Sequence, residues 1–493
     1  MRAERGSFLT DVAAAPELAG AARNTIVGQV PGEARSDRQT VERLESERAA
    51  AQGPSAAAVP GVPAAEPLGY LQWDNQQIGA TQTGSYARDR GDSRVMVGVM
   101  DTGVDGSHPD IAPNFDAALS RNFTTDIPEI DGPCAEDPDG SCSDPADVDE
   151  DGHGTHVAGT IGAALNGIGI SGVAPDVTLV NVRAGQDSGY FFLQSVVDAL
   201  TYSADVGIDV VNMSFYIDPW LFNCANNPAD SPAEQMEQRT VIASTQRAID
   251  YAWSRGVTMV AAEGNGNTDL GKPVVDETSP DFPEGAERTR TVDNSCLNMP
   301  TEANHVISVT STGASERKAY YSDYGVEQAD LSAPGGDFYD PAVQVGASTT
   351  QDPRNLVLSA YPRALALANG DIDADGNPTT PFVVVDQGAT YQYLQGTSMA
   401  SPHAAGVAAL VVSKLGFPDV FRRDGGLTLF PGITELVLNL TARDHACPTP
   451  ATLAYPGLSD VYTATCEGSA RDNGFYGTGI VDAGAVSRLP FGR

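Results

Sequence analysis

The alternation of short apolar runs with longer segments of helical period constrains the fold most. The runs are β-branched and apolar throughout, as strands buried on both faces of a parallel sheet are. They occupy residues 94–100, 177–182, 208–213, 257–262 and 305–310. Helical periods lie near residues 153–165, 190–206, 239–255 and 398–414. This order predicts an α/β fold, a parallel sheet covered by helices, with the site at the carboxyl ends of the strands.

The chain divides by composition into a leader, a linker and one large domain. Residues 1–50 are of mixed charge and rich in Ala, and residues 51–66 contain six Ala and three Pro, as a linker does. Residues 67–493 suffice for one α/β domain with a deep core. We interpret four segments rich in Asp, Pro and Gly as insertions: 126–150, 217–238, 266–303 and 336–394.

The charge of the chain excludes two classes of partner. Lys and Arg total 29 against 65 Asp and Glu, which gives a formal charge of −36. Such a surface repels phosphate backbones and anionic lipids, so we expect neither nucleic-acid binding nor electrostatic docking on a membrane. No apolar run reaches the roughly 18 residues of a membrane span.

The six cysteines predict disulfides and an oxidising compartment, because an even number lies in acidic, loop-like stretches. Proximity favours the pairs Cys134–Cys142 and Cys447–Cys466, which leaves Cys224–Cys296, although fifteen pairings are open to six cysteines. Free thiols in a cytosolic protein are the alternative. The first thirty residues lack the pattern of a secretory signal, so the expectation of a secreted protein rests on the cysteines.

Two motifs offer an acid and a base. Asp101 follows the first predicted strand in VGVMDTGVDGSHPD, where it either reaches the site or forms a turn. His153 begins a predicted helix of small residues in DEDGHGTHVAGTIGAAL, which leaves its imidazole at the mouth of the helix. His156 lies three residues on, but no third metal ligand is near and HExxH is absent, so we expect a buried packing residue.

A third motif, LQGTSMASPHAAGVAALVV, places Ser398 where a loop becomes a long apolar helix. The N–H groups at a helix start point outward and carry partial positive charge. A hydroxyl there can attack a carbonyl while its own N–H binds the developing oxyanion. The alternative is that Ser398 or Thr397 only caps the helix.

The order Asp101, His153, Ser398, with these flanking residues, resembles the subtilisin-like serine proteases, the subtilase family. The resemblance covers roughly residues 70–490. It extends to NMSFY (212–216), VAAEGNGN (260–267), YYSDYG, DLSAPG (330–335) and GFYGTGIVDAGAV near the end. It implies a three-layer α/β/α fold with a mainly parallel sheet, and a secreted serine endopeptidase of polypeptides.

The resemblance also implies the role of each residue. Ser398 forms the acyl-enzyme, His153 transfers the proton, Asp101 orients the imidazole and Asn265 binds the oxyanion. We expect a monomer that needs no cofactor for this chemistry. The runner-up is a catalytically silent homologue that binds peptides or assists maturation. The segment 1–50 is then a propeptide, or a truncated or disordered leader.

Substrate binding is assigned to Ser214, Phe215, Tyr216, Glu263 and Gly264. The family pattern usually has Gly after the serine at position 214, whereas here Phe215 and Tyr216 follow. Tyr216 either shapes the pocket or lies where the chain bends away. Glu263 replaces a small residue, and it either faces the pocket and favours a basic or polar substrate side chain, or faces solvent.

The acidic loops raise the hypothesis of structural calcium. Asp371, Asp373 and Asp375 copy the first half of a calcium loop, and residues 147–152 do so again. A complete loop needs Glu at its twelfth position, where these have Phe382 and Ala158. A solvated acidic turn is the alternative for both.

Overall fold

The computed structural model describes residues 65–135, 140–283, 285–341, 351–420 and 425–490. The predicted leader and almost all of the predicted linker lie outside these residues. At the end of that linker, Glu66 is already buried, with 6% of its surface exposed. The Leu68 N–H donates to the carbonyl of Gly169, so the folded body includes this stretch.

The core of the fold is a seven-stranded sheet. Its strands are β1 (Met96–Met100), β2 (Arg121–Asn122), β3 (Thr178–Arg183), β4 (Val210–Met213), β5 (Thr258–Ala262), β6 (Val306–Thr312) and β7 (Leu331–Pro334). They follow the order β7-β6-β5-β4-β1-β3-β2, and all neighbours are parallel. Every residue of β1, β4, β5 and β6 is buried, because helices cover both faces.

Helices flank the sheet. They are α1 (Trp73–Gln77), α2 (His153–Gly162), α3 (Leu193–Val206), α4 (Pro232–Ser254), α5 (Arg363–Ala368), α6 (Thr397–Leu415), α7 (Pro431–Thr441) and α8 (Ala483–Ser487). Short 3-10 turns occupy Ser85–Ala87, Pro353–Asn355 and Asp460–Tyr462. Helices α2 and α6 share one apolar core with β1, whereas α3 and α4 pack in a second core on the other face. The predicted three-layer α/β/α fold is confirmed.

One predicted insertion contains a three-stranded sheet, and another contains the start of a long helix. Residues 336–394 include an antiparallel sheet of β8 (Val357–Ala360), β9 (Val383–Asp386) and β10 (Ala389–Leu394), in the order β8-β10-β9. Helix α4 begins inside the predicted insertion 217–238. Ser231 accepts the Glu234 N–H in a capping box, and Pro232 occupies the first helical position. These start signals account for the earlier beginning of the helix.

Short antiparallel ribbons complete the described chain. They pair Asn223–Cys224 with Cys296–Leu297, Val275–Asp276 with Arg290–Thr291, Phe417–Pro418 with Leu427–Thr428, and Thr452–Leu453 with Ala464–Thr465. Disulfides join Cys134–Cys142, Cys224–Cys296 and Cys447–Cys466, the pairing expected from proximity. None of the described helices has the length and apolar character that a membrane span requires.

Candidate active site

Asp101 and His153 meet in a buried hydrogen bond at the carboxyl end of the sheet. Asp101 follows β1 directly and is fully buried. His153 is the first residue of α2, and its Nδ1 lies 2.7 Å from Asp101 Oδ1. The same carboxylate oxygen accepts the Thr102 N–H at 2.8 Å. A carboxylate held in this way fixes both the tautomer and the direction of the imidazole.

Asp149 anchors the start of α2. Its Oδ2 accepts the Thr155 N–H at 2.9 Å and the Thr155 hydroxyl at 2.6 Å. Its Oδ1 accepts the Gly152 N–H at 2.9 Å and the Thr102 hydroxyl at 3.1 Å. Because Thr102 adjoins Asp101 and Gly152 adjoins His153, one carboxylate holds the acid and the base in register.

Ser398 lies at the start of α6, next to the end of the neighbouring strand β4. It is the second residue of α6, and its Oγ donates to the carbonyl of Ser214 at 3.4 Å. Ser214 follows β4, which pairs in parallel with β1, so Ser398 and Asp101 lie at the same edge of the sheet. The α6 start has no side-chain cap, so the capping alternative for Thr397 and Ser398 is wrong.

Asn265 is oriented by the start of α6. Thr397 donates its N–H at 2.9 Å and its hydroxyl at 3.0 Å to Asn265 Oδ1. A backbone N–H can only donate, so the atom that it meets is the amide oxygen. The Asn265 NH₂ group is therefore on the side away from Thr397. The Thr397 hydroxyl also accepts the Gly264 N–H at 3.1 Å, which ties the loop to the helix.

A cavity of about 190 Å³ lies next to Ser398, and most of the predicted substrate-binding residues line it. Ser214, Phe215, Tyr216 and Gly264 line it together with Asn265. The Phe215 ring stacks on Phe191, with centroids 4.1 Å apart. Because Tyr216 lines the cavity, it contributes to the shape of the pocket, which is the first of its two alternatives. The Tyr216 hydroxyl donates to the carboxylate of Asp281, which holds its ring in the wall.

Glu263 departs from both expectations, because it neither lines the cavity nor reaches solvent. It is fully buried directly after β5. Burial raises the pKa of its carboxyl well above the usual 4.5, and the nearby Asp330, Glu302 and Asp323 raise it further, against a smaller opposing hydrogen bond from Ser308. The assignment of Glu263 to substrate contact is therefore corrected.

His156 is buried away from the site, as expected. Its Nε2 lies 3.1 Å from the carbonyl oxygens of Val357 and Gln392, so it joins α2 to the antiparallel sheet. Both partners are acceptors, so Nε2 carries the proton. His156 Nε2 therefore serves to hold the fold together.

Hydrogen bonds within the fold already engage carboxylates of both candidate calcium loops. Asp373 Oδ1 accepts N–H groups of Asp375 and Asn377, and the Asn377 amide bonds to both of its oxygens. These bonds lower the pKa of Asp373, which is exposed, as in a solvated turn. Asp149 is likewise engaged by α2. The carboxylates of Asp371, Asp373 and Asp375 do not converge on a common point among the described residues.

Three other carboxylates do converge in the described part of the chain, those of Asp126, Asp144 and Asp187. A buried guanidinium already lies among them. Arg183 contacts Asp126 at 3.2 Å and Asp187 at 2.8 Å, and it also bonds to Asp144. The arginine supplies one positive charge to the three aspartates, and burial together with the neighbouring carboxylates still raises the pKa of Asp187 to about 8.

Comparison with known proteins decides the family. The model of the subtilase family matches residues 92–424. The chain belongs to the subtilase family. This subtilase is 27% identical to subtilisin DY of Bacillus licheniformis over 326 residues, which cover 65% of the chain and 78% of that protein. It is 27% identical to thermitase of Thermoactinomyces vulgaris over 344 residues, which cover 70% and 82%.

A solved structure agrees in fold. The epidermin leader peptide processing serine protease of Staphylococcus aureus superimposes with a TM-score of 0.56 at 20% identity. The match covers 88% of this subtilase and 84% of that chain. Family and relatives make this subtilase a serine endopeptidase that acts on polypeptides.

The structure adds two residues to the site that sequence reasoning did not assign. Thr397 joins Asn265 and Gly264 to α6, although its position beside the nucleophile suggested only a cap. Asp323 lines the cavity beside Ser398. Its only signal in the sequence was the motif YYSDYG, which resembled a family landmark but carried no functional assignment.

Proposed function

We propose that this subtilase cleaves peptide bonds through an acyl-enzyme on Ser398. The observation that carries the proposal is the buried 2.7 Å hydrogen bond between His153 Nδ1 and Asp101 Oδ1. It leaves Nε2 as the nitrogen that takes up a proton. The ion pair that forms when His153 is protonated then lies in a site from which water is largely excluded.

The first half of the reaction forms the ester. His153 Nε2 takes the hydroxyl proton of Ser398 as Oγ bonds to the carbonyl carbon of the substrate. The tetrahedral intermediate collapses, its C–N bond breaks, and the same proton passes to the leaving amine. Water then repeats the sequence, giving a proton to His153 and releasing the acid from Ser398, which regains its proton.

The oxyanion is stabilised by donors already in place. Thr397 holds the oxygen of Asn265, which leaves the NH₂ group of this cavity-lining residue as a donor. The Ser398 N–H lies in the first turn of α6, where N–H groups have no acceptor within the helix. Together they supply two donors that need no rearrangement as negative charge develops.

We also place the protein outside the reducing cytosol. Its six cysteines form three disulfides, which persist in oxidising compartments. Peptide mapping without reductant is expected to recover the three cross-linked pairs. Six free thiols in the purified native protein would contradict this placement.

The catalytic proposal is tested with a fluorophosphonate probe, which reacts only with an activated serine. The parent is expected to label once, at Ser398, and Ser398→Ala to remain unlabelled. Ser413→Ala, the same change near the other end of α6, is the matched control and should label as the parent does. Asn265→Ala should keep its fold and lose about 10²–10³-fold in kcat. A folded parent that does not label would favour the catalytically silent homologue.

A further inference from the structure

The cavity beside Ser398 has apolar walls and one charged group. Phe215, Leu221 and Ala262 contribute apolar surface, and Asp323 is the only acidic or basic residue that lines it in the described part of the chain. Only 3% of Asp323 is exposed. A cavity that combines apolar surface with one buried carboxylate suits a side chain with an aliphatic stem and a cationic head.

The Asp323 carboxylate lies directly against the loop that carries Asn265. A Cβ built on Gly264 would lie 2.1 Å from Asp323 Oδ2, and one on Gly266 would lie 3.2 Å from Oδ1. The Thr268 N–H donates to Oδ1 at 2.6 Å, and the Asp323 N–H donates to the Gly264 carbonyl at 2.8 Å. The carboxylate is therefore held in one position beside the oxyanion donor.

This carboxylate has no direct counterion. Among the described residues, no Lys or Arg forms an ion pair with Asp323. The cation that most affects it is Lys318, whose Nζ donates to Asn267 Oδ1 at 2.7 Å and to the Ala319 carbonyl at 3.2 Å. Burial lowers the pKa of Lys318 to about 7, so its compensation is partial.

The raised pKa of Asp323 is consistent with a buried carboxylate that has too little positive charge nearby. Burial raises its pKa to about 7, against opposing hydrogen bonds from the backbone at Thr268 and Gly266 and the charge of Lys318. A substrate cation that entered the cavity would favour the ionised form and supply the missing charge.

We propose that Asp323 selects Lys or Arg at the substrate residue that precedes the cleaved bond. This specificity rests on the proposed nucleophile, because the carbonyl attacked by Ser398 and bound by Asn265 belongs to that residue. Its side chain then enters the cavity that both residues line. Glu263, the other acidic residue near Asn265 in the sequence, is fully buried and does not line the cavity.

The test compares peptide substrates that differ only at this residue, with Lys, Arg, Met or Leu. The parent is expected to cleave the Lys and Arg peptides with a kcat/KM at least about 10²-fold above that for Met. Asp323→Asn retains the shape and an acceptor for Thr268. It should lose about 10²-fold on the basic peptides and change less than about threefold on Met and Leu. Asp323→Ser is a second variant with the same expectation, and Glu263→Gln is the control that keeps the parental preference.

Two results would overturn the proposal. One is a parent that prefers Leu or Met to the basic residues. The other is an equal loss on all four peptides in both Asp323 variants, which would mean that the carboxylate only supports the loop. Fluorophosphonate titration counts the competent enzyme in each preparation, so a loss of Ser398 reactivity is not mistaken for a change of specificity.

A binding measurement separates this proposal from the proposed chemistry. Titration calorimetry on the Ser398→Ala protein compares short peptides that end in Arg or Met and needs no catalysis. The Arg peptide should bind at least about tenfold more tightly, and the difference should vanish in the double variant with Asp323→Asn. Equal binding of the two peptides would reject the role of Asp323 even if Ser398 proves to be the nucleophile.

Discussion

Gly154→Ala probes how closely α2 approaches the end of β1. A Cβ at Gly154 would lie 2.0 Å from the Gly103 carbonyl oxygen and 3.0 Å from Asp101 Cβ. In an ordinary helix, Ala is favoured over Gly by about 1 kcal/mol. Here we expect Ala to be less stable than Gly, because the close contact forces the backbone that carries Gly103 and Asp101 away from the helix.

The size of the effect follows from that distance. Restoring a 3.0 Å contact requires a movement of about 1 Å, and His153, the preceding residue, moves with the helix. The 2.7 Å bond to Asp101 would then lengthen beyond the normal hydrogen-bond range. A 1 Å misplacement costs about 10²-fold, and loss of the orienting carboxylate about 10⁴-fold, so we expect kcat to fall by 10²–10⁴-fold. Overpacking should also lower the free energy of unfolding by about 1–3 kcal/mol.

The assay combines kcat on one peptide substrate, the rate of fluorophosphonate labelling and the thermal midpoint. Gly432→Ala in α7 is the matched control, because the nearest contact is the half-exposed ring of Phe430, at 3.1 Å, which can give way. It should retain parental activity. A folded Gly154→Ala protein with kcat within about threefold of the parent would refute the argument.

Three further predictions concern stability. Burial raises the pKa of Glu263 well above 4.5, so the folded protein holds this proton more tightly than the unfolded chain does. The free energy of unfolding therefore falls as the pH rises from about 4.5 toward the raised pKa. Glu263→Gln should gain an advantage that grows by up to about 1.4 kcal/mol per pH unit in that window, measured by denaturant unfolding. Arg290→Ala should cost about 3–5 kcal/mol by the same measurement, since it leaves Asp276 buried without its cation and Asp230 with Arg288 alone. Asp373→Asn should change stability by less than about 1 kcal/mol, and calcium or a chelator should affect its thermal midpoint as in the parent.

Each of these predictions has its own control or contrary result. The advantage of Glu263→Gln would contradict the raised pKa if it stayed constant from pH 5 to pH 9. Arg94→Ala removes a partly exposed ion pair with Asp92 and should cost no more than about 1 kcal/mol. An equal loss of stability in the Arg94 and Arg290 variants would contradict the inference that burial makes the Arg290 pairs more important. A chelator effect on the parent that Asp373→Asn abolishes would show that this loop binds calcium.

Most of the central sheet was predictable because its strands are buried on both faces. Burial on two sides requires an apolar residue at every position, and β1, β4, β5 and β6 each lie within or overlap an apolar run read from the sequence. The antiparallel strands of residues 357–394 were missed. Thr390 and Gln392 of β10 are buried because the strand packs in tertiary structure, so the segment does not have the apolar pattern of a core strand.

The sequence by itself determined the family, the parallel α/β scaffold and the order of Asp101, His153 and Ser398, because these lie in local motifs at element boundaries. Tertiary structure alone decided which acid lines the pocket. Glu263 lies two residues before Asn265, yet it is fully buried and does not line the cavity. Asp323 comes from a distant segment and lines the cavity, where its N–H bonds to the Gly264 carbonyl. The direction of a side chain at the end of a strand depends on what packs against it, and that information is not local.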